Sequence, residues 1–459
     1  MIKSWDEINY KINRGKAVVL TAAEIKTMAE SKSCRRIAEE VDVVTTGTFG
    51  AMCSSGAFLN FGHPSPAIKM EEIFLNDVPA YGGLAAVDTY LGATAVSRKK
   101  EDYGGGHVLV ELIQGKDVRL KARGRGTDCY PRKAISTYIN LQNINEAILF
   151  NPRNSYQNYA AAVNSSPQTL YTYMGTLLGS MGNITYSSAG EISPLINCPD
   201  FSVIGLGSRI FLAGAQGFIT GAGTQFNSEQ NKNSHNIPVG PGGTLAVMGN
   251  LKEMSAEFIK PAYYQNYGIS LMVGIGIPIP ILNEDIARAV LVRNQDIQTK
   301  IIDFGNNKKN LGIVSYDELR SGKVRLGNKI IKTAPLSSLS KAMSVAKHLQ
   351  RWIQKGEFLL QKPLAPMPRQ SVKALEIRNP NKTAGKDVMK KLPVDNLPHI
   401  EWRECVHCGA CTAPCSAGAL TVLPPLYHLA FAAEKCKGCR LCQKACPLRL
   451  ISFRENNHQ

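Results

Sequence analysis

Twelve cysteines divide unequally along the 459-residue chain, with eight between 405 and 446. "CVHCGACTAPC" carries Cys405, Cys408, Cys411 and Cys415, and "CKGCRLCQKACP" repeats the spacing with Cys436, Cys439, Cys442 and Cys446 ahead of Pro447. Three thiolates separated by two residues wrap one face of an iron–sulfur cubane, while the turn carries the fourth to the other cluster. One [4Fe-4S] cluster is therefore expected on Cys405, Cys408, Cys411 and Cys446, and a second on Cys436, Cys439, Cys442 and Cys415. Zinc sites favour cysteine pairs separated by a longer loop. A disulfide framework belongs to exported chains, and "MIKSWDEINYKINRGKAVVLTAAE" has no signal-peptide apolar region. Two clusters hold two electrons, so the rest of the chain is expected to perform a reduction or to receive help with one. His407, inside the first motif, reads as a spacer.

Two further thiols stand in loops. "GTFGAMCSSGAFLNFGHP" places Cys53 among glycines and small hydroxyls, a setting for an accessible thiol. Ser54 and Ser55 are candidate donors to a sulfur or an oxyanion, with turn stabilisation as the plainer role. "RGRGTDCYPRKAI" surrounds Cys129 with Arg123, Arg125, Arg132 and Lys133, whose charges favour a thiolate and suit a carboxylate substrate. Arg153, in "AILFNPRNSYQNYAAAVNSS", is a third candidate carboxylate clamp. Cys34 falls on an apolar helical face and Cys198 beside a proline turn, and both read as structural. His235 reads as a surface residue, and nothing in the sequence brings His63 or His107 to a thiol.

The elements that must hold these loops are short. "WDEINYKINRGK" reads as a helix, and the next segment, through "VDVVTTG", as strand, helix, strand, with Cys53 in the loop that follows that strand. "GGGHVLVELIQGKDVRLKARG" reads as two strands, and "NEDIARAVLVRNQDI" and "SKAMSVAKHLQRWIQKGEFLL" as helices. The expected fold is a glycine-rich α/β or α+β catalytic domain over 1–361, a linker over 362–399 that could pack across the surface, and a small α+β ferredoxin-like domain over 400–459. The formal charge of +17 is dispersed, with no basic arm or nucleic-acid module, so small anions are expected rather than nucleic acid. The longest apolar run, "GISLMVGIGIPIPIL", is too short and proline-interrupted to span a membrane. A cytoplasmic protein is expected, and a homo-oligomer is compatible with the sequence.

The C-terminal motifs resemble those of bacterial two-cluster ferredoxins, departing at Ser416, where proline is usual, and at Pro414. Farther upstream, "GTFGAMCSSGAFLNFGH", "GTDCYPRK", "LFNPRNSYQNYAAAVN", "TYMGTLLGSMGNITYSSAGEISPL" and "GIPIPILNEDIARA" together resemble the homocysteine-biosynthesis family of L-aspartate-semialdehyde sulfurtransferases, over roughly residues 10–365. The resemblance implies conversion of L-aspartate semialdehyde and sulfide, or a persulfide donor, to homocysteine, with electrons from a low-potential external carrier. It also implies that Cys53 and Cys129 are the functional cysteines, through persulfide or disulfide chemistry, with Arg125, Arg132 and Arg153 as candidate partners. A redox enzyme acting on another aldehyde, and a cysteine-based sulfur carrier or assembly protein, are the alternative readings.

Overall fold

A computed structural model describes residues 3–375 and 397–453. Most of the linker, 376–396, lies outside the described residues. The fold is mixed α/β, and antiparallel pairing dominates it. Its largest sheet has thirteen strands. From one edge they run Ile259–Tyr264, Gly268–Gly276, Arg209–Leu212, Ala215–Ala222, Leu245–Asn250, Glu146–Asn154, Gly56–Asn60, Asp88–Gly92, Val78–Tyr81, Glu72–Leu75, Val118–Arg123 and Ala134–Ile139, with Thr48–Ala51 also pairing Gly268–Gly276. A six-stranded mixed sheet runs Lys309–Ser315, Gln298–Asp303, Ala161–Val163, Ile184–Tyr186, Lys329–Pro335 and Lys323–Leu326. Among the described residues no helix is long and apolar enough to cross a membrane.

The expected N-terminal helix is Trp5–Asn13, started by Ser4, whose hydroxyl accepts from the Glu7 N–H. Strand Val19–Thr21 lies parallel to Val43–Thr45, and the segment between them forms two short helices, Glu24–Met28 and Cys34–Glu40. Cys34 packs against the main core, and Cys198 is buried in it. "GHVLVELI" was expected as a strand and is a helix, Gly105–Ile113. Its nearly continuous apolar run fits a buried helix as well as a buried strand, and the His107 ring settles the start by accepting the Gly104 N–H at 3.2 Å. The longest helix, Leu339–Gln354, presents Ala342, Val345, Ala346, Leu349 and Ile353 to the interior. It packs on strands Thr48–Ala51 and Gly268–Gly276. Gly47 makes this approach possible, since a Cβ there would lie 2.1 Å from the Ala342 carbonyl oxygen.

Just before the Val43–Thr45 strand, Asp42 is buried with Lys3 at 3.2 Å and Lys11 at 2.9 Å, and it accepts the Val18 N–H. Burial alone would raise its carboxyl, but the Lys11 and Val18 hydrogen bonds and the Lys3 charge hold it below the ordinary value.

The C-terminal segment has its own small core of Ile400, Cys411, Leu420, Leu429, Cys442, Cys446, Ile451 and Phe453. It docks on the body through a second cluster in which Val406, Cys408 and Ala410 meet Phe49, Met174, Leu177, Tyr264, Met272 and Leu336. Tyr263 N–H donates to the Pro447 carbonyl at 2.6 Å, Lys260 to Glu404 at 2.7 Å, and the Ser338 hydroxyl to the Val406 carbonyl. Gly409, at φ +80°, sits over Pro335, whose ring would lie 2.6 Å from an added Cβ.

Asp42→Ala leaves the buried Lys3 facing no carboxylate and is expected to cost about 3–5 kcal/mol in denaturant unfolding; a loss well under 1 kcal/mol contradicts the role given to Asp42. Because the folded carboxyl is held low, its contribution is present at neutral pH and is lost only as the pH falls below about 4. Gly409→Ala adds a left-handed alanine at about 1–2 kcal/mol to the clash with Pro335. Faster proteolytic release of the C-terminal segment is expected, and unchanged release contradicts the close approach.

Candidate functional site

The ladder between Thr48–Ala51 and Gly268–Gly276 pairs Ala51 with Met272, and the Met52 N–H continues it to the Leu271 carbonyl at 2.7 Å. The next step brings Cys53 opposite Ser270, and its Sγ lies 3.1 Å from the Ser270 hydroxyl. The same strand belongs to a tight hairpin with Ile259–Tyr264, turned by Asn266 at φ +54° and Gly268 at φ +130°. That turn sets Tyr264 and Tyr267 beside Cys53 in the wall of one cavity. Burial and then the Cys53 charge push the Tyr267 phenol up to about 12, so it stays a proton donor at neutral pH.

Cys53 opens into a cavity of 380 Å³ where the two sheets meet. Its wall includes Ser54, Arg153, Tyr156, Tyr159, Tyr173, Ser188, Gln225 and Lys308, and among the described residues no Asp or Glu lines it. A register shift between Asn151 and Asn154 breaks the strand that carries Arg153, and Ser155 follows at φ +51°. A bulge of this kind re-aims side chains. Arg153 has no carboxylate partner among the described residues, and neither does Lys308, whose ammonium stands 5.7 Å from the Phe304 ring centroid. Burial raises the Tyr156 and Tyr159 phenols, which keeps both neutral. The cavity is thus a cationic, aromatic-lined chamber with one thiol, suited to a small anion that reacts with sulfur.

The sequence-selected residues separate. Cys53, Ser54 and Arg153 share the cavity. Ser55 is buried behind it, its hydroxyl accepting from Asn151 at 2.9 Å. Cys129 is exposed in the turn between strands Val118–Arg123 and Ala134–Ile139, where Tyr130 stacks on His63 beyond the far end of strand Gly56–Asn60. It does not line the Cys53 cavity, and neither do Arg125 and Arg132. Arg125 pairs with Glu71 at 2.8 Å, and Arg132 donates to the carbonyls of Ser65 and Pro66. These arginines surround Cys129 in sequence, but in space they brace its loop against 65–71. Tyr264, Tyr267, Ser270 and Lys308 were not singled out from sequence; the Asn266 and Gly268 turn was the available signal for the two tyrosines.

The eight C-terminal cysteines form two sets. Cys405, Cys408, Cys411 and Cys446 line one enclosed cavity. Cys442 has Cys439, Cys415 and Cys436 as its thiol neighbours. The sequence repeat is also a repeat in backbone: His407 and Gly409 in the first motif, and Gly438 and Arg440 in the second, all have positive φ. The N–H groups of His407, Gly438 and Leu450 approach the sulfurs of Cys405, Cys436 and Cys446 at 3.4 Å each. Converging thiols with N–H groups directed at sulfur fit a cluster-binding loop. Burial pushes the Cys408 and Cys442 thiols up to about 12, so the thiolate forms need a bound cation. The His407 Nδ1 accepts the Leu429 N–H at 3.1 Å and lies 3.9 Å from the Cys405 sulfur, and its ring stacks on His428 with centroids 4.3 Å apart.

Comparison with known proteins follows the same division. Residues 397–453 match the family described as a 4Fe-4S dicluster domain. The L-aspartate semialdehyde sulfurtransferase of Methanosarcina acetivorans is 49% identical over 372 residues, which span 80% of this chain and 72% of that protein. The protein of the same name from Methanocaldococcus jannaschii is 46% identical over 423 residues, 88% of this chain and 80% of the relative. No solved structure matches the chain. Residues 17–360, which include Cys53 and its cavity, match the family described as homocysteine biosynthesis enzyme, sulfur-incorporation, and the chain belongs to that family.

Proposed function

We propose that this protein transfers sulfur reductively to L-aspartate semialdehyde, forming L-homocysteine. The observation that carries the reading is the position of Cys53, in a cavity with two cations and, among the described residues, no acid, on the strand pair against which the C-terminal cysteines dock. The names of the two relatives supply the substrate class.

With sulfide as donor, addition to the aldehyde gives a hemithioacetal, loss of water gives a thioaldehyde, and two electrons with two protons give the thiol. When sulfur arrives as a persulfide on Cys53, two further electrons and protons return Cys53 to its thiol. Arg153 suits the substrate carboxylate, because a guanidinium offers two parallel N–H donors to two oxygens. Lys308 suits the oxygen that gathers negative charge as sulfur adds to the aldehyde carbon. The Ser270 hydroxyl, 3.1 Å from the Cys53 sulfur, keeps it oriented, and Tyr267 in the same wall is a neutral proton donor. Cys405, Cys408, Cys411 and Cys446 would hold one [4Fe-4S] cluster and Cys415, Cys436, Cys439 and Cys442 the other, supplying electrons one at a time from a low-potential external carrier. Cys129 serves outside the cavity, as a second thiol acting before sulfur reaches Cys53.

Purified holoprotein given sulfide, L-aspartate semialdehyde and a low-potential reductant is expected to make homocysteine over many turnovers. Stoichiometric cysteine labelling without turnover would instead make the protein a sulfur carrier. Cys53→Ala is expected to abolish product with both clusters retained, while Cys129→Ala keeps a measurable rate when free sulfide is the donor; the reverse ranking contradicts the assignment. Arg153→Gln removes a charge-assisted contact of about 1.5–3 kcal/mol and is expected to raise KM for the aldehyde roughly ten- to hundredfold. An unchanged KM removes Arg153 from the site.

A further inference from the structure

One buried side chain lies between the substrate cavity and the C-terminal cysteines. Tyr264 lines the Cys53 cavity and also packs in the docking core with Val406, Cys408 and Ala410. It thus has the thiol of the cavity, Cys53, on one side and Cys408 of the first cluster set on the other. The backbone reinforces this contact, since the neighbouring Tyr263 N–H donates at 2.6 Å to Pro447, the residue that follows Cys446. Arg449 stacks 4.3 Å over the Tyr263 ring and pairs with Asp102, fixing the same junction from outside. The second cysteine set faces the other way: Cys439 is exposed, with Lys435, Lys437 and Lys444 exposed around it.

Resting on the reductive reading above, we propose that Tyr264 is the positioning residue through which electrons reach sulfur on Cys53, leaving from the site of Cys405, Cys408, Cys411 and Cys446. The site that includes Cys439 is the outer one, which receives electrons from a low-potential one-electron carrier. The ring acts by filling the space between two sulfur centres with packed atoms. It keeps water and free sulfide in the cavity from meeting the cluster ligands, and it is not itself oxidised or reduced. The step it serves can be run without aldehyde: a persulfide on Cys53 takes up two electrons and two protons, its S–S bond breaks, and Cys53 thiol and hydrogen sulfide are left.

The test uses the holoprotein with Cys53 loaded by polysulfide, washed, and photoreduced with a deazaflavin as one-electron donor. Sulfide release is followed against a cluster-free control, with persulfide on Cys53 measured by mass spectrometry. Tyr264→Ala is expected to bind both clusters and load sulfur normally, yet to release sulfide severalfold more slowly, and Tyr264→Phe to restore the wild-type rate. Should the alanine variant lose its clusters, Tyr264→Leu leaves a smaller void and is expected to change the rate in the same direction. In the wild-type protein, loading Cys53 is also expected to perturb the electron paramagnetic resonance signal of one reduced cluster and leave the other unchanged. Undiminished release from Tyr264→Ala, or equal perturbation of both signals, overturns this inference alone. Failure of the loaded wild-type holoprotein to release any cluster-dependent sulfide overturns the reductive reading with it.

Discussion

The pairing of Thr48–Ala51 with Gly268–Gly276 is the constraint on which the site depends. Extended by the Met52 to Leu271 bond, it fixes Cys53 against Ser270, and a slip of one residue would turn the thiol to the opposite face of the sheet. The same strand leads back through its hairpin to Tyr264 and Tyr267, and the hairpin's other strand carries the Tyr263 amide that holds Pro447. One local register thus sets the thiol, its hydrogen-bond partner and the contact with the cysteine-rich segment. Helix Leu339–Gln354 backs this pair of strands, approaching closely only because Gly47 has no side chain.

What the sequence revealed best was local. The cysteine repeat at 405–446 contains its own geometry, since spacing limits which thiols can share a cluster, and Cys405, Cys408, Cys411 and Cys446 line one cavity. Arg153 stands in a polar stretch of sequence, and it lies at the end of strand Glu146–Asn154, within the register shift that brings it to the cavity wall. Cys129 with Arg125 and Arg132 looked equally persuasive, yet those charges are engaged by Glu71 and by backbone carbonyls. Closeness along a loop says nothing about which other loop it meets. Lys308, Ser270 and the two hairpin tyrosines reach Cys53 only through long-range pairing, which no local pattern encodes. The helix Gly105–Ile113 was missed for a related reason, because burial on several sides removes the periodicity that separates helix from strand.

The cavity's electrostatics fit sulfur chemistry on a small acid. Two cations without acidic partners favour a carboxylate and a developing oxyanion together, and tyrosines held neutral by burial add donors without adding charge. The excess of basic residues over the whole chain says much less, since most of those charges are spread over the surface.

The central claim is that Cys53 carries the sulfur that becomes product sulfur. It is tested most directly by loading the holoprotein anaerobically with isotopically heavy polysulfide, which passes sulfane sulfur to the thiol and leaves as a shorter polysulfide, adding L-aspartate semialdehyde and reductant, and following the peptide containing Cys53 by mass spectrometry in a single turnover. The account expects the heavy sulfur to leave Cys53 at the rate at which heavy homocysteine appears. Heavy homocysteine forming while the label stays on Cys53, or leaving only from Cys129, would contradict it.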